Sequence, residues 1–353
     1  MSKENYFEQR SVSCLEKIEN IVETLPYYVE EFFVGIENRT TPLTRLNYAY
    51  DLRVFFDFLL KKTFRNKKSV QDITIDDLNA LSSSDIELFL SYLSNYTING
   101  KKEMCNERGK SRKLATIRSF YKFFFNKGVF IANTAAKVAM PKLHDKEIIR
   151  LDSNGKVDEV AAMINTADSG NGLTAHQQTF HARTKMRDVA IITLFLGTGI
   201  RISELVGLNV SDIDFNTNSF VVTRKGGNRT ILYFNQEVKA ALEDYITERA
   251  QNENLKDEEA LFLSLQETRI STRAVQNLVK KYAQIVSPLK KITPHKLRST
   301  FGTNLYRETG DIYVVADVLG HKDVNTTKKH YAALSEDIKK RAATAVKLRD
   351  KDD

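Results

Sequence analysis

The chain reads as a mainly α protein with one small β element, built from an N-terminal helical bundle and a second, mostly helical domain. Three observations predict this. Apolar residues recur at helical spacing through most of residues 1–140, one stretch around Gly226-Gly227 switches to period two, and a charged segment led by Pro141 separates the two halves. The expected boundaries are 1–140 for the first domain, 141–150 for the linker and 151–353 for the second.

In the first domain, Arg45 to Lys62 sets Leu52, Phe55, Phe56 and Leu59 on one helical stripe. Ser84-Asp-Ile-Glu87 carries a capping-box pattern that opens a helix with Ile86, Leu90 and Leu93 inward. Ser111 to Lys127 buries Leu114, Ile117, Tyr121 and Phe124 and stops at Gly128, a residue suited to the position after a helix. In the second domain, the stretch 165–184 is rich in Gly, Ser, Thr, Asn and Gln without apolar periodicity and is expected to be an insertion loop. Helical pattern returns at Lys185–Leu196 and Ser203–Leu208. Residues 220–234 alternate about Gly226-Gly227 as a hairpin. Helices are expected over Gln236–Ala250, Thr272–Ile285, His295–Glu308, Ile312–Leu319 and Ser335–Leu348.

Composition narrows the function. At 353 residues, with 42% hydrophobic and 28% charged residues, the chain suits a soluble two-domain protein. Its net charge of +8 fits a polyanionic partner, although basic proteins without one are common. Residues 1–10 carry no apolar signal region, and the longest apolar run, Val189 to Leu196, is too short to span a bilayer. Cys14 and Cys105 are isolated, and His144, His176, His181 and His330 have no metal-ligand spacing, so a cytoplasmic protein without a metal or other cofactor is expected.

The chemistry concentrates late in the chain. Thr293-Pro-His295-Lys-Leu-Arg298 is followed by Gly320-His321 and then Tyr331, and Arg201 stands earlier in Gly197-Thr-Gly199-Ile-Arg201-Ile-Ser-Glu204. Guanidinium forks match phosphate oxygens and stay charged at working pH. A phenol forms an ester with phosphorus when its surroundings favour the phenolate. Two arginines, two histidines, a lysine and a tyrosine therefore suggest phosphoryl transfer through a phosphotyrosine. Each residue also has a plainer reading. Arg201 alone would be a surface ion pair with Glu204, Lys225 a solvated turn-tip lysine, and Tyr331 one of fourteen tyrosines.

The order Arg201, Lys225, His295-x-x-Arg298, Gly-His321, Tyr331 resembles the tyrosine recombinase (phage integrase) family. Arg187-Asp188, Thr223-Arg-Lys225-Gly-Gly-Asn-Arg229 and Leu319-Gly-His321-Lys-Asp323 extend the resemblance, which covers roughly residues 25 to 345. Within the family the chain looks most like the Xer proteins that resolve chromosome dimers, especially the lone-recombinase type, whose N-terminus Leu25-Pro-Tyr-Tyr-Val-Glu-Glu-Phe-Phe33 resembles. One departure is that Tyr331 follows His321 by ten residues, whereas Xer proteins commonly show nine and continue Thr-His; longer spacing occurs in integrases of mobile elements.

The resemblance implies a core-binding bundle and a catalytic domain around duplex DNA, with no metal or ATP. Arg201 and Arg298 would hold the phosphate and Glu204 would orient Arg201. Lys225 would protonate the leaving oxygen, with Arg229 as its alternative. His295 would exchange a proton, His321 would bond a non-bridging oxygen, and Tyr331 would be the nucleophile. It implies double-stranded DNA carrying a specific site as partner, a homotetramer on two duplexes and an accessory protein such as a DNA translocase. The narrow apolar stripe of Ile338, Ala342, Ala345 and Val346 would dock onto a neighbouring protomer. Lys110, Arg112, Lys113, Arg118 and Lys122 form a basic helix face that would contact DNA in the first domain. The alternatives are an integrase of a transposon or phage, a type IB topoisomerase and a non-catalytic DNA-binding protein.

Overall fold

The computed structural model describes residues 6–144, 149–152, 158–224, 227–321 and 324. It divides into two compact units, Met1–Lys146 and Glu147–Asp353. Both are mainly helical and each holds a small antiparallel sheet.

The first unit contains α1 (Tyr6–Val22), α2 (Tyr28–Gly35), α3 (Pro42–Phe58), α4 (Ile75–Ala80), α5 (Ser83–Tyr92), β1 (Tyr96–Ile98), β2 (Lys101–Glu103), α6 (Glu107–Asn126) and α7 (Thr134–Lys137). Its core is aromatic. Phe120 of α6 meets Phe124 at 5.0 Å and Phe32 of α2 at 5.2 Å, and Phe55 of α3 meets Phe89 of α5 at 5.1 Å, each edge to face. Several expected features shift. The α3 stripe extends through a wider turn at Leu59–Thr63, and the capping box of α5 is Ser82 with Asp85, two residues before the expected pair. The reciprocal bonds are Ser82 N–H to Asp85 at 2.8 Å and Asp85 N–H to Ser82 Oγ at 3.3 Å.

The sequence reading overlooked the hairpin of β1 and β2. Its signal was present: Asn99 and Gly100 both take positive φ, 50° and 74°, as a two-residue hairpin turn of matching twist requires.

The basic face of α6 also differs from expectation. Lys113 is buried, and its ammonium donates to Asp51 Oδ1 at 2.9 Å; Arg112 and Thr116 donate to Oδ2 of the same carboxylate. Asp51 is completely buried on α3, so its charge needs all these partners. They lock α6 to α3, and Lys113 is structural rather than available to DNA. Arg118 turns back to the carbonyls of Ala135 and Val138 and anchors the segment around α7.

The second unit contains α8 (Glu159–Ser169), α9 (Ala175–Thr198), α10 (Ile202–Val206), β3 (Ile213–Asp214), β4 (Ser219–Thr223), β5 (Arg229–Tyr233), α11 (Gln236–Ala250), α12 (Thr272–Val286), α13 (Pro294–Thr309) and α14 (Ile312–Leu319). The sheet order is β3-β4-β5, with Val221 opposite Ile231 and Thr223 opposite Arg229. Helix α9 packs against α8, α11 and α13.

The expected insertion loop at 165–184 is not a loop. Helix α8 runs to Ser169, Gly170 caps it at φ 72°, and α9 starts behind a capping box formed by Thr174 and Gln177. The N-terminal half of α9 buries polar groups, His181 and Thr184, in place of leucines, so a search for apolar periodicity passes over it. Asp188 accepts from Arg187 at 2.8 and 3.1 Å and from Lys281 and Tyr282 of α12 at 2.9 Å each, which fastens α12 to α9. Burial, then the Asp188 charge, pushes the Tyr282 phenol up, so it stays a neutral donor. The expected C-terminal helix, Ser335–Leu348, lies outside the described residues.

Removing one partner of a buried ion pair strands the other charge. Lys113→Ala should therefore cost about 3–5 kcal/mol in the first unit. Urea unfolding followed by circular dichroism would register it, while the salt dependence of DNA affinity stays unchanged. A changed salt slope at unchanged stability would return Lys113 to the DNA-contacting face.

Candidate active site

The site forms where three chain segments, the α9–α10 turn, the end of β4 and α13, meet the end of α14. Helix α9 ends in Gly199 at φ 64°, where an added Cβ would meet Phe301 at 2.4 Å and Leu319 at 2.9 Å. Glycine is required both by the turn and by this close packing. The turn delivers Arg201 to the N-terminus of α10, one turn before Glu204.

Arg201 and Glu204 do pair, yet not as a surface ion pair. Glu204 is 4% exposed, and its two oxygens accept from Arg201 Nη1 at 2.8 Å and from the Arg201 backbone N–H at 3.0 Å. The carboxylate thus fixes both the guanidinium and the backbone that carries it. The other end of the fork, Nη2, donates to the carbonyls of Leu319 at 3.1 Å and Gly320 at 3.0 Å.

Arg298 lies one turn into α13, which Pro294 opens. It is buried, and it donates to the carbonyls of Gly199 and Leu319. Both guanidiniums therefore share the Leu319 carbonyl, although they lie 97 residues apart in the chain by their numbering. His295, on the first turn of α13, is exposed. His321 follows Gly320, which caps α14 at φ 60°, and the His321 N–H closes the turn onto the Ala316 carbonyl at 2.9 Å. Arg201, Glu204, Arg298 and the His321 backbone are thus gathered at one helix end.

Lys225 and Tyr331 lie outside the described residues, as does His330. Arg229, the alternative to Lys225, is largely exposed and sits 3.8 Å from Asp212. Of the remaining basic face on α6, Lys122 is exposed and Lys110 donates to Ser94 at 2.7 Å. One residue that sequence reasoning passed over is Arg224. It donates to the Val318 carbonyl at 3.2 Å and packs against Gly320. A second such feature is a cavity of about 530 Å³ in the first unit, lined by Lys61, Lys62 and Lys102 with Tyr92 and Tyr96; the Asn99-Gly100 turn signal would have located its hairpin wall. Among the described residues, no group of three or more His, Cys, Asp or Glu could hold a metal ion, and no helix is long and apolar enough to cross a membrane.

Residues 157–337 match the phage integrase family. The chain belongs to that family. It is 34% identical over 317 residues to the tyrosine recombinase XerC of Caldanaerobacter subterraneus subsp. tengcongensis, covering 86% of this chain and 82% of that protein. It is 30% identical over 336 residues to the tyrosine recombinase XerS of Streptococcus mutans serotype c, covering 89% and 93%. The fold is similar to that of the XerH site-specific recombinase in a post-cleavage complex with palindromic difH substrate (TM-score 0.66, 15% identity, 97% of this chain and 91% of that one). It is also similar to the Tn1549 transposon integrase with circular intermediate DNA (TM-score 0.59, 17% identity, 85% and 93%). This member of the phage integrase family is an enzyme, a tyrosine-type site-specific recombinase.

The buried carboxylate of Glu204 generates a test. Glu204→Gln presents an N–H₂ where one of two donors expects an oxygen, so Arg201 loses its alignment. Cleavage, measured as covalent protein–DNA adduct in single turnover, should slow by about 10- to 100-fold, the equivalent of about 1.5–3 kcal/mol for a charged hydrogen bond. DNA affinity should stay within about twofold, since the substitution leaves the charge of Arg201 itself in place. A rate equal to wild type would show that Arg201 is held by the α14 carbonyls alone.

Proposed function

We propose that this recombinase cuts and rejoins DNA at a specific site through a 3′-phosphotyrosine, in the manner of Xer chromosome dimer resolution. The observation that carries the reading is the joint anchoring of Arg201 and Arg298 on the Leu319 carbonyl. Two guanidiniums held that close suit the two non-bridging oxygens of one phosphodiester, and they offset charge that builds on the pentavalent transition state. His321 leaves the same turn; in this reading its imidazole bonds one of those oxygens, and His295 serves in proton exchange with the nucleophile.

Tyr331 attacks the phosphorus, and the bond to the 5′-oxygen breaks as Lys225 gives that oxygen its proton. The free 5′-hydroxyl of the partner duplex then attacks the phosphotyrosine, expels the phenolate and restores the backbone. The phosphoester bond is exchanged rather than hydrolysed, so neither step consumes ATP. The buried phenols of Tyr28, Tyr121, Tyr245 and Tyr282 are unsuited to the attack, because burial pushes each one up and disfavours the phenolate.

The first unit supplies a core-binding domain, residues 1–140, joined through 141–150 to the catalytic domain, residues 151–353. Exposed Lys122 and half-buried Lys110 of α6 are its DNA contacts, with Arg112 half committed to Asp51. Strand exchange between two duplexes calls for a homotetramer, with the C-terminal helix docking in trans and a DNA translocase as accessory. The ten-residue step from His321 to Tyr331 favours one second reading, an integrase of a transposon or phage, which would share the chemistry and differ in its DNA site.

Tyr331→Phe should bind its site normally and form no covalent adduct with a nicked suicide substrate, read by denaturing electrophoresis. An adduct at wild-type level would move the nucleophile to another tyrosine.

Lys225→Ala should lose about 10²–10⁴-fold in cleavage of an ordinary phosphodiester. A substrate with sulfur at the 5′-bridging position should recover most of that loss, because a thiolate departs without a proton. Equal loss on both substrates would take Lys225 out of the acid role and turn attention to Arg229.

A further inference from the structure

The last turn of a helix leaves carbonyl oxygens without partners inside the helix. At the end of α14 the capping N–H groups of Gly320 and His321 take up Asp317 and Ala316. The next three carbonyls are taken up by arginines. Val318 accepts from Arg224, Leu319 from Arg201 and Arg298, and Gly320 from Arg201. Three guanidiniums, from β4's end, the start of α10 and α13, therefore meet on one turn.

Arg224 stands at the closed end of the β4–β5 hairpin, where its N–H donates to Asn228 at 2.8 Å and its carbonyl accepts from Gly227 at 3.0 Å. Its guanidinium occupies the space a side chain at 320 would need: a Cβ there would fall 1.4 Å from Nη1 and 2.3 Å from Cζ. Gly320 is thus required twice, by its positive φ and by this contact. Among the described residues no carboxylate pairs with Arg224, and its Nε is buried without a hydrogen-bond partner. Burying that donor has a cost, and the contacts that offset it are those to the α14 turn.

We propose that Arg224 is a positioning residue for cleavage: it braces the back of the Val318–Gly320 turn so that the Leu319 and Gly320 carbonyls hold Arg201 and Arg298 in register with the phosphate. It acts through the other two arginines and does not touch the DNA. The inference rests on the phosphate-binding role of Arg201 and Arg298 proposed above.

The test compares Arg224→Ala with Arg298→Ala, alone and combined, on two suicide substrates. One carries an ordinary scissile phosphodiester, the other a methylphosphonate, in which a methyl group replaces one charged oxygen. Arg224→Ala should slow adduct formation by about 10- to 100-fold on the phosphodiester, the scale of loss for misplaced groups. The loss should shrink to within about threefold on the methylphosphonate, where less charge needs offsetting. An enzyme that had merely lost its fold would be slow on both, and that result would overturn the proposal. Added to Arg298→Ala, Arg224→Ala should slow cleavage by no more than about threefold further, because residues acting as a unit do not multiply. Fully multiplicative losses would make Arg224 an independent phosphate contact and would also overturn the proposal. If Arg298→Ala itself gains nothing from the methylphosphonate, the reading of Arg298 as a phosphate ligand fails, which is a distinguishable result.

Discussion

The candidate site depends on the unpartnered carbonyls at the end of α14. A helix C-terminus carries partial negative charge, and here it is met by guanidiniums from segments far apart in the chain. That turn exists because Gly320 adopts φ 60° and gives the Arg224 guanidinium room beside it. A residue with a side chain would disrupt the cap and displace an arginine at once. The opposite wall obeys the same logic at Gly199, where the absence of a Cβ lets Phe301 and Leu319 close over the turn that carries Arg201.

Buried carboxylates perform the corresponding task in three places. Asp51 ties α6 to α3 in the first unit, Asp188 ties α12 to α9 in the second, and Glu204 ties Arg201 to its own helix start. Each is nearly or fully buried, and each is surrounded by donors. A buried charge pair adds little net stability, but it penalises any packing that breaks it. Such pairs therefore specify which helices meet and in what register, which a catalytic group needs more than it needs extra stability.

This distinction explains why two residues of the basic face of α6, Lys113 and Arg118, are committed within the first unit. Lys110, Arg112, Lys113, Arg118 and Lys122 read from the sequence as one continuous phosphate-binding surface. The fold assigns Lys113 to Asp51, sixty-two residues away, and Arg118 to two carbonyls beyond its own helix. A lysine's identity states that it carries charge. Whether that charge meets water, DNA or an interior carboxylate depends on what another segment brings to it.

Much was nevertheless legible in the sequence. Helices α11 and α14 begin and end where the pattern of apolar residues and caps places them, α12 runs one residue further at its end and α13 one residue further at each end, because apolar spacing, a capping Ser or Asn and a terminal Gly are local signals. The family, and the order of its arginines, histidines and tyrosine, were equally legible, because spacing survives in the chain itself. Two elements were missed for opposite reasons. The Asn99-Gly100 hairpin had a clear local signal that was overlooked, whereas the first half of α9 had none in its apolar pattern, since its buried positions are His181 and Thr184. Only the tertiary structure decided that Glu204 is an interior carboxylate, that Leu319 offers one carbonyl to two arginines, and that Arg224 joins them. These arginine–carbonyl bonds join partners 21 to 118 residues apart, and no local pattern encodes which distant carbonyl an arginine will reach.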